Sequence, residues 1–490
     1  MAWFNVYLFY KQFTSPEMAV KMKKTTLLTV IVLIFNTVLL VFNGSAQYTR
    51  LLAFDSINGS GPAGSLISDG IFLYGMTSAG GTNNYGTIFK IKPDGTGYTN
   101  LLNFTGANGY GPNSDLFSDG TFLYGLTSTG GTNNNGVIIK IKSDGTGYLK
   151  LHDFGNSTDG SNPYGVLISD GTFLYGMTGY GGVNNMGIIF KIKPDGTGYS
   201  KLIDFDGSAY GRWPLGSLTS DGTFLYGMTN FGGISDNGVI FKIKFDGTGF
   251  VNLLDFAGTN GRGPRGSLIS VDSFLYGMTT FGGTSDDGVL FKIKKDGTGY
   301  SKLIDFIDST NGSRPNGSLI YDGSFLYGMT REGGTFGDGI IFKIKSNGSE
   351  FSKLYNFTSA VNGSEPNGSL ISDGNFLFGM TSRGGFSSTC LLARCGTLFK
   401  IGIATGITEN NKSAIGFNIF PNPSKGTFTI AAKENNYTLS ITNILGESIY
   451  KSEIKNQKTE VDLSLQPNGI YFINIQTEKE SNTQKIIINK

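Results

Sequence analysis

The chain has 490 residues, its formal net charge is +2, and 16% of its residues are charged, a smaller share than the roughly 25% of an average soluble domain. Because positive and negative charges nearly cancel, the composition predicts no basic face and disfavours a nucleic-acid partner. Apolar residues hardly ever recur at helical spacing, and the length exceeds one small domain, so the composition predicts an all-β protein with more than one folded unit.

The N-terminus has the pattern of a secretory signal. Three lysines between residues 21 and 24 precede an apolar run at residues 27–42, and small residues follow. This order predicts cleavage after Ala46, leaving Gln47 as the first mature residue. The apolar run is longer than usual for a signal peptide, so a retained membrane anchor is the alternative. We expect residues 1–46 to be an upstream extension and signal peptide, and the protein to meet the membrane only in transit.

The stretch FLYGMTSAGGTNNYGTIFKIKPDGTGY begins at Phe72 and recurs in seven copies. The copies follow one another at steps of 50 or 51 residues, measured at the aromatic residue of the FLYGMT segment. A fixed period of this size, close to that of kelch repeats, indicates a solenoid, a propeller or an array. The aligned aromatic residues are Tyr74, Tyr124, Tyr175, Tyr226, Tyr276, Tyr327 and Phe378.

Each copy contains four segments of strand length, which in the first copy read GSLIS, FLYGMTS, GTIFKIK and GYTNLLNF. Asp-Gly pairs separate the first two segments and the last two, and this dipeptide is typical of hairpin turns. Four antiparallel strands in about 50 residues are typical of a propeller blade.

The two ends of the repeat array complement each other. A strand of the fourth type stands at Leu51–Phe54, before any complete copy, whereas the last copy stops at Gly396–Gly402 without a fourth strand. Pairing of Tyr48–Phe54 with Thr397–Ile401 would leave no free sheet edge at the seam. A solenoid would instead need capping repeats, and the sequence has none. We therefore predict a seven-bladed β-propeller, closed by the N-terminal strand, at residues 47–402.

The repeated pattern GSLISDGxFLYGMTxxGGxxxxGxIFKIKxDGTGYxxLxxF resembles the bacterial tandem repeat of the Gloeo/Verruco (GloVer) type. The resemblance extends from Gln47 to Gly402. It implies a propeller-like fold on an exported protein, and it implies no catalytic motif.

The C-terminal part begins after a polar linker at residues 403–414. Residues 415–490 contain short alternating strands separated by Gly and Asn turns, which predict a small Ig-like β-sandwich. A rigid turn precedes its strand at Thr427–Ile430. The residues of this turn are Pro421, Asn422, Pro423, Ser424 and Gly426.

Taken alone, this unit could be a generic module that binds or spaces. However, PNPSKGTF, ITNILGESIY and the terminal GIYFINIQTEKESNTQKIIINK, in this order, resemble the type A C-terminal sorting domain of the type IX secretion system of Bacteroidota. The resemblance implies that the secretion machinery is a partner and that the protein is secreted or held at the outer cell surface.

Few residues suggest catalytic or metal chemistry. Cys390 and Cys395 lie in an insertion peculiar to the seventh copy, and in an exported protein they predict a local disulfide in preference to free thiols. The only histidine, His152, is predicted to be structural, which disfavours His-based triads and metal sites. Most carboxylates occupy turn positions, and their spacing does not match a calcium loop. We expect no cofactor, and calcium at these turns is the less favoured alternative.

The copies differ mainly in the loop between blades and in the loop between the second and third strands. In an antiparallel blade these two loops lie on one face, and the nearly invariant SDG and DGTG turns lie on the other. Loops on a rigid scaffold often carry recognition, and Trp, Tyr and Arg are its common anchors. The candidate ligand-face residues are Tyr85, Tyr110, Tyr164, Tyr180, Arg212, Trp213, Phe231, Arg262, Arg265, Phe281, Arg314, Arg331 and Arg383.

The sequence thus favours an exported, non-enzymatic propeller that binds an extracellular glycan or protein through this face. One alternative is a secreted polysaccharide hydrolase or lyase with a carboxylate pair in the central funnel. The other is a structural scaffold of a surface coat.

Overall fold

A computed structural model gives the fold. It describes residues 47–155, 158–358, 361–385, 395–403, 417–422, 424–432, 435–443, 448–477, 481–488 and 490. These residues fall into two compact units, one before and one after residue 404. The predicted signal peptide at residues 1–46 and residues 404–414 of the predicted linker lie outside the described residues. No helix in the described part of the chain is long and apolar enough to cross a membrane.

The first unit is built from β-strands and one short helix, α1 (Asp308–Asn311). Its strands in the N-terminal half are β1 (Tyr48–Ala53), β2 (Ile67–Ser68), β3 (Leu73–Thr77), β4 (Thr87–Ile91), β5 (Thr99–Asn103), β6 (Phe117–Ser118), β7 (Phe122–Thr127), β8 (Val137–Lys142), β9 (Leu149–Asp153), β10 (Ile168–Ser169), β11 (Leu174–Thr178), β12 (Ile188–Ile192) and β13 (Ser200–Asp204). The remaining strands are β14 (Thr219–Ser220), β15 (Phe224–Met228), β16 (Val239–Lys244), β17 (Val251–Asp255), β18 (Ile269–Val271), β19 (Phe274–Thr279), β20 (Val289–Lys294), β21 (Ser301–Asp305), β22 (Ile320–Tyr321), β23 (Phe325–Thr330), β24 (Ile340–Lys345), β25 (Ser352–Asn356), β26 (Ile371–Ser372), β27 (Phe376–Thr381) and β28 (Thr397–Gly402).

Within the described residues, these strands form seven antiparallel sheets of four strands each. Six sheets consist of four strands consecutive in sequence, the first being β2-β3-β4-β5, and the seventh has the order β1-β28-β27-β26. The prediction of an all-β protein is confirmed.

The sequence of each repeat explains how its sheet packs. All five residues of β3 are buried, as are all but Lys90 in β4, because apolar contacts cover both faces of the sheet. Gly75 of β3 lies directly opposite Phe89 of β4. A Cβ atom at Gly75 would come 2.7 Å from the Phe89 ring, so glycine is needed there to let the ring lie across the strand.

The apolar cores lie between neighbouring sheets. One core joins Met76 of the first repeat to Leu123 of the second. The core between the last and the first repeats is built in the same way, with Met380 on one side and Leu66 and Phe89 on the other.

The N-terminal strand completes the seventh sheet. β1 pairs with β28 in antiparallel register, with Tyr48 opposite Ile401 and Ala53 opposite Thr397. The backbone N–H of Phe54 donates to the carbonyl of Gly396 at 3.0 Å, a contact that Phe104 makes to Gly86 inside the first repeat. The predicted pairing of the two chain segments is confirmed.

The second unit has two antiparallel sheets. Their orders are β29-β30-β33 and β32-β31-β34-β35. The strands are β29 (Phe417–Phe420), β30 (Thr427–Ala432), β31 (Tyr437–Asn443), β32 (Ser448–Ile454), β33 (Lys458–Asp462), β34 (Gly469–Gln476) and β35 (Ser481–Ile488). One apolar core contains Phe428 and Val461 from the first sheet and Ile441 and Ile473 from the second, so the sheets pack face to face.

The predicted turn of the second unit lies before β30. The hydroxyl of Ser424, which is buried, accepts a hydrogen bond from the Gly426 N–H at 3.0 Å and donates one to the Thr427 carbonyl at 2.8 Å. Pro421 and Asn422 precede it, and Pro423 lies outside the described residues.

Candidate ligand-binding face

The two variable loops of every repeat meet on one side of the first unit. In the first repeat Ser60 forms a β-bridge with Ala79, and the equivalent bridge joins Arg212 to Phe231 and Ser364 to Arg383. We call this side the loop face. It consists of residues 55–64 and 78–86 in the first repeat, together with the equivalent loops of the other repeats.

The opposite side is uniform and uses its polar groups within the fold. In the first repeat the Asp69 carboxylate accepts the Phe72 N–H at 2.7 Å and the Tyr74 hydroxyl at 2.7 Å. The Lys90 ammonium lies 4.9 Å from the centre of the Phe72 ring and donates to the Ser143 carbonyl of the next repeat at 3.2 Å. The same lysine–phenylalanine contact, at 4.7–5.1 Å, is made by Lys140, Lys191, Lys242, Lys292, Lys343 and Lys400.

Aromatic side chains cluster on the loop face of the first four repeats. The rings of Tyr85 and Tyr110 lie 4.8 Å apart. Trp213 lies 5.5 Å from Tyr180 on one side and 5.5 Å from Phe231 on the other. The structure therefore brings together five of the predicted aromatic residues in two groups.

Trp213 has a left-handed backbone conformation that all seven repeats share. Its φ is +56°, in the region that favours glycine. Glycine occupies the equivalent position in three other repeats, as Gly61, Gly111 and Gly263, and the remaining three have Asn162, Arg314 and Glu365, with φ of +53° or +54°. A side chain at this position is energetically unfavourable for the backbone, and four of the seven repeats bear this cost.

Most arginines on the loop face are held by acidic partners. Arg212 lies 4.6 Å from the Trp213 ring and contacts the Asp236 carboxylate at 2.7 Å. Arg262 lies 4.9 Å from the Phe281 ring and contacts Asp286 at 2.7 Å.

The last two repeats continue this pattern with glutamates. Arg314 contacts Glu332 at 2.9 Å, and Arg331 and Arg383 contact Glu365 from two sides, at 2.9 and 2.6 Å. Five of the six predicted arginines are therefore ion-paired.

Arg265 is the exception. Its guanidinium forms no ion pair or hydrogen bond with the described residues, although it is the neighbour of both Tyr164 and Arg331. Partial burial lowers the pKa of the Arg265 guanidinium, and the positive charge of Arg331 lowers this pKa further. Arg265 is thus an exposed cation with no ion-pair partner among the described residues, and its neighbour Arg331 is paired with Glu365.

Arg265 lies at the mouth of an axial cavity of about 80 Å³ to which all seven repeats contribute. The side chains at the mouth come from the same position of each repeat, the residue directly after the proline of the loop between repeats. These residues are Ala63, Asn113, Tyr164, Leu215, Arg265, Asn316 and Asn367.

Deeper in the cavity, a ring of hydrogen bonds connects the repeats. The Ser217 N–H donates to the Ser267 hydroxyl at 2.8 Å, and Ser318 donates in the same way to Ser369. The Ser369 N–H then donates to the Ser65 hydroxyl at 2.7 Å, so this contact joins the last repeat to the first.

One carboxylate replaces a serine hydroxyl in this ring. Asp115 stands where five other repeats have serine, and its Oδ1 accepts the Ser65 N–H at 2.5 Å. Burial raises the pKa of Asp115 above its ordinary value, although the hydrogen bonds from Ser65 oppose the shift. Asp115 is the only carboxylate among the residues described in the cavity wall.

Tyr164 owes its place at the mouth to a glycine. A Cβ atom at Gly179 would lie 3.2 Å from two atoms of the Tyr164 ring. The equivalent positions in the first two repeats are Ser78 and Ser128, whose hydroxyls bond backbone carbonyls. The sequence reasoning missed Asp115 and Gly179. The signal for Asp115 was its departure from the serine that five other repeats have at that position. The position of Gly179 differs among the repeats, being occupied by serine, asparagine, threonine or arginine elsewhere, so the sequence carried no such signal there.

The residues predicted to be structural lie apart from this cavity's lining. The His152 ring stacks on Tyr199 with centroids 3.9 Å apart, and its Nε2 lies 2.9 Å from an Asp159 oxygen. Cys395 is buried and disulfide-bonded, whereas Cys390 lies outside the described residues. Among the residues that the structure describes, no three His, Cys, Asp or Glu side chains are grouped to hold a metal ion.

Repeated four-stranded sheets with one uniform side and one individualised side define an all-β tandem-repeat protein with a candidate recognition face. The chain belongs to the family of the Gloeobacter/Verrucomicrobia repeat, whose sequence profile matches residues 116–279 and 250–442. Residues 418–489 match the secretion system C-terminal sorting domain. Both predicted resemblances are confirmed, and the protein is secreted or located at the outer cell surface.

Solved structures resemble the fold at low sequence identity. PorZ, an essential surface component of the type IX secretion system of Porphyromonas gingivalis, is 14% identical with a TM-score of 0.35, and the match covers 87% of this chain and 69% of PorZ. A putative 6-phosphogluconolactonase from Bacteroides uniformis is 16% identical with a TM-score of 0.44, over 81% of this chain and 97% of the other. No curated protein sequence matches this chain.

Proposed function

We propose that residues 47–402 form a closed seven-bladed β-propeller that binds an extracellular glycan or protein through its loop face, and that residues 415–490 are an Ig-like sorting sandwich. Two contacts between the ends of the array support the closed ring. β1 pairs with β28, and Ser369 donates to Ser65. The type IX machinery exports the protein by means of the sorting domain.

The observation that carries the binding function is the setting of the Trp213 side chain. Its ring lies between Tyr180 and Phe231, and Arg212 stacks upon it. Trp, Tyr and Arg dominate the binding energy of known interfaces. The ion pair between Arg212 and Asp236 holds the cluster in place, so that less conformational entropy is lost on binding.

The two alternatives receive less support. A retaining or inverting glycosidase needs two carboxyl groups across the scissile bond, and Asp115 stands alone in the described cavity wall. A surface-coat scaffold needs no individualised face and gives no reason for the cluster of Trp213 with Tyr180, Phe231 and Arg212.

Binding can be tested by titrating the mature protein with a panel of glycans and surface proteins. Trp213 is the only tryptophan after residue 46, so its emission reports on the loop face. A ligand of this face should change the emission, and calorimetry should show at least roughly tenfold weaker binding to Trp213→Gly. That substitution copies the residue of three other repeats, which favours an intact fold.

Tyr321, an exposed aromatic residue at the opposite turns, provides the matched control. Tyr321→Ala should bind normally. The proposal fails if no member of a broad panel binds the folded protein, or if Tyr321→Ala loses as much affinity as Trp213→Gly.

A further inference from the structure

We propose that the mouth of the axial cavity is a carboxylate-binding subsite centred on Arg265, and that the loop face therefore recognises an acidic glycan bearing uronate groups. This inference rests on the proposed function, and it selects one chemical class of ligand within it.

The arginines of the loop face differ in whether a carboxylate pairs with them. Arg212, Arg262 and Arg314 each contact a carboxylate at 2.7–2.9 Å. Arg265 has no such partner among the described residues and lies where the seven repeats converge. A guanidinium presents two parallel N–H donors that match the two oxygens of a carboxylate.

The neighbouring Arg331 adds positive charge beside Arg265. It is close enough for the two charges to oppose each other, although its guanidinium also contacts Glu365 at 2.9 Å. A carboxylate bound at Arg265 would reduce the remaining repulsion between the two guanidiniums.

Amide and aromatic side chains accompany Arg265. Asn316 and Asn367 are joined by a hydrogen bond of 3.0 Å at the mouth, and amide groups of this kind suit the hydroxyls of a sugar. Tyr164 lies at the mouth near Tyr180, and Tyr180 lies 5.5 Å from Trp213. We call Tyr164, Tyr180 and Trp213 the aromatic path, because each ring offers a face on which a sugar ring can stack.

Asp115 sets a limit on this site. It lines the same cavity, and at a pH at which its carboxyl group is ionised it repels an anion at the mouth. Its removal should therefore strengthen binding of a carboxylate, whereas loss of Arg265 should weaken it. The two residues predict opposite changes, which a general disturbance of the fold would not produce.

The test uses a galacturonic acid trisaccharide and its methyl ester, which differ in charge and have the same sugar rings. Calorimetry with the mature protein should show that the acid binds more tightly than the ester. Arg265→Gln should weaken binding of the acid roughly ten- to a hundredfold and leave the ester unchanged, the size expected for hydrogen bonds to a charged group. Arg265→Lys should give a smaller loss, because it keeps the charge without the planar fork.

Two further variants complete the design. Asp115→Ser should tighten binding of the acid, and Lys92→Gln, which removes an exposed cation at the uniform turns of the opposite side, should leave it nearly unchanged. The inference is overturned if the acid and the ester bind equally, if Lys92→Gln and Arg265→Gln lose the same affinity, or if neither compound binds. In each case the Trp213 titration with other ligands decides separately whether the loop face binds at all.

Discussion

Tyr48 stacks on Tyr355 with ring centroids 4.2 Å apart and ring planes 8° apart. The Tyr48 hydroxyl donates to the Asn362 carbonyl at 2.6 Å, at a sequence separation of 314 residues. In the third repeat Tyr199 makes the same hydrogen bond, also at 2.6 Å, to Asp159, which is only 40 residues away. The N-terminal strand thus makes in the seventh sheet the contacts that a fourth strand makes in the other repeats.

Substitution at this seam should destabilise the first unit. Tyr48→Phe should cost about 1 kcal/mol, because the Asn362 carbonyl loses its donor. Tyr48→Ala should cost about 3–5 kcal/mol, the range for removing a packed aromatic ring. Denaturant unfolding, followed by circular dichroism, measures both.

Tyr199→Phe is the matched control, since it removes the equivalent bond within the chain's interior repeats. Similar losses for Tyr48→Phe and Tyr199→Phe are expected from a seam as firm as the other junctions. If Tyr48→Ala unfolds at the same denaturant concentration as the wild type, the N-terminal strand does not stabilise the ring.

His152 should make stability depend on pH. Burial lowers the pKa of His152 below its ordinary value near 6.5, although the Asp159 carboxylate opposes the shift. Because the pKa is lower in the folded protein, the contribution of His152 to stability is complete above its pKa in the unfolded chain. This contribution is lost as the pH falls through its pKa in the folded protein. The single histidine resonance in NMR should therefore titrate below pH 6.5.

The control for this effect is His152→Leu, which copies Leu102 and Leu254 at the same position of other repeats. The difference in unfolding free energy between the two proteins should change by about 1.4 kcal/mol for each unit by which the pKa is lowered. A histidine that titrates at or above 6.5 in the folded protein contradicts the prediction.

Asp115 should have the opposite dependence. Burial raises the pKa of this carboxyl, so its contribution to stability is present below its unfolded pKa and is lost as pH rises through the folded value. Asp115→Ser should therefore raise the free energy of unfolding at pH 7, because it removes a carboxyl group whose ionisation the folded state disfavours. The gain should disappear below about pH 4, where the unfolded carboxyl is protonated as well. An equal gain at both pH values would indicate a packing effect.

The sequence predicted the repeat fold well because each copy carries its own turn and strand signals. The pairing of Tyr48 with Ile401 was also predictable, since one end lacked the strand that the other end had in excess. The axial ring was not predicted. Ser369 and Ser65 belong to the last and the first repeat, and no local pattern links residues 304 positions apart.

The pairing state of the arginines was predictable only in part. Arg212 with Asp236 and Arg262 with Asp286 are both 24 residues apart, an offset that comparison of the copies could have revealed. Arg265 has no ion-pair partner among the described residues. This could not be predicted, because its neighbours Tyr164 and Arg331 come from two other repeats.

Gly179 leaves space for the Tyr164 ring because it has no side chain. Gly179→Ser copies the residue of the first two repeats, but its Cβ would lie 3.2 Å from the Tyr164 ring and 3.2 Å from the Asn162 carbonyl. The substitution should cost about 1–3 kcal/mol, the range for overpacking, and should move Tyr164 away from the cavity mouth. Thermal unfolding and calorimetry with a loop-face ligand measure the two effects.

The double variant Gly179→Ser/Tyr164→Asn identifies the cause. Asparagine stands at the position of Tyr164 in three other repeats, as Asn113, Asn316 and Asn367, so this combination restores a pair that the fold already accommodates. The loss of unfolding free energy in the double variant should be smaller than the sum of the losses in the two single variants by about 0.5–3 kcal/mol, as expected for residues in contact. Ligand affinity should stay low, because the aromatic path lacks its first ring. Strictly additive stabilities would mean that Gly179 is required for its backbone alone, and that Tyr164 occupies the mouth for a different reason.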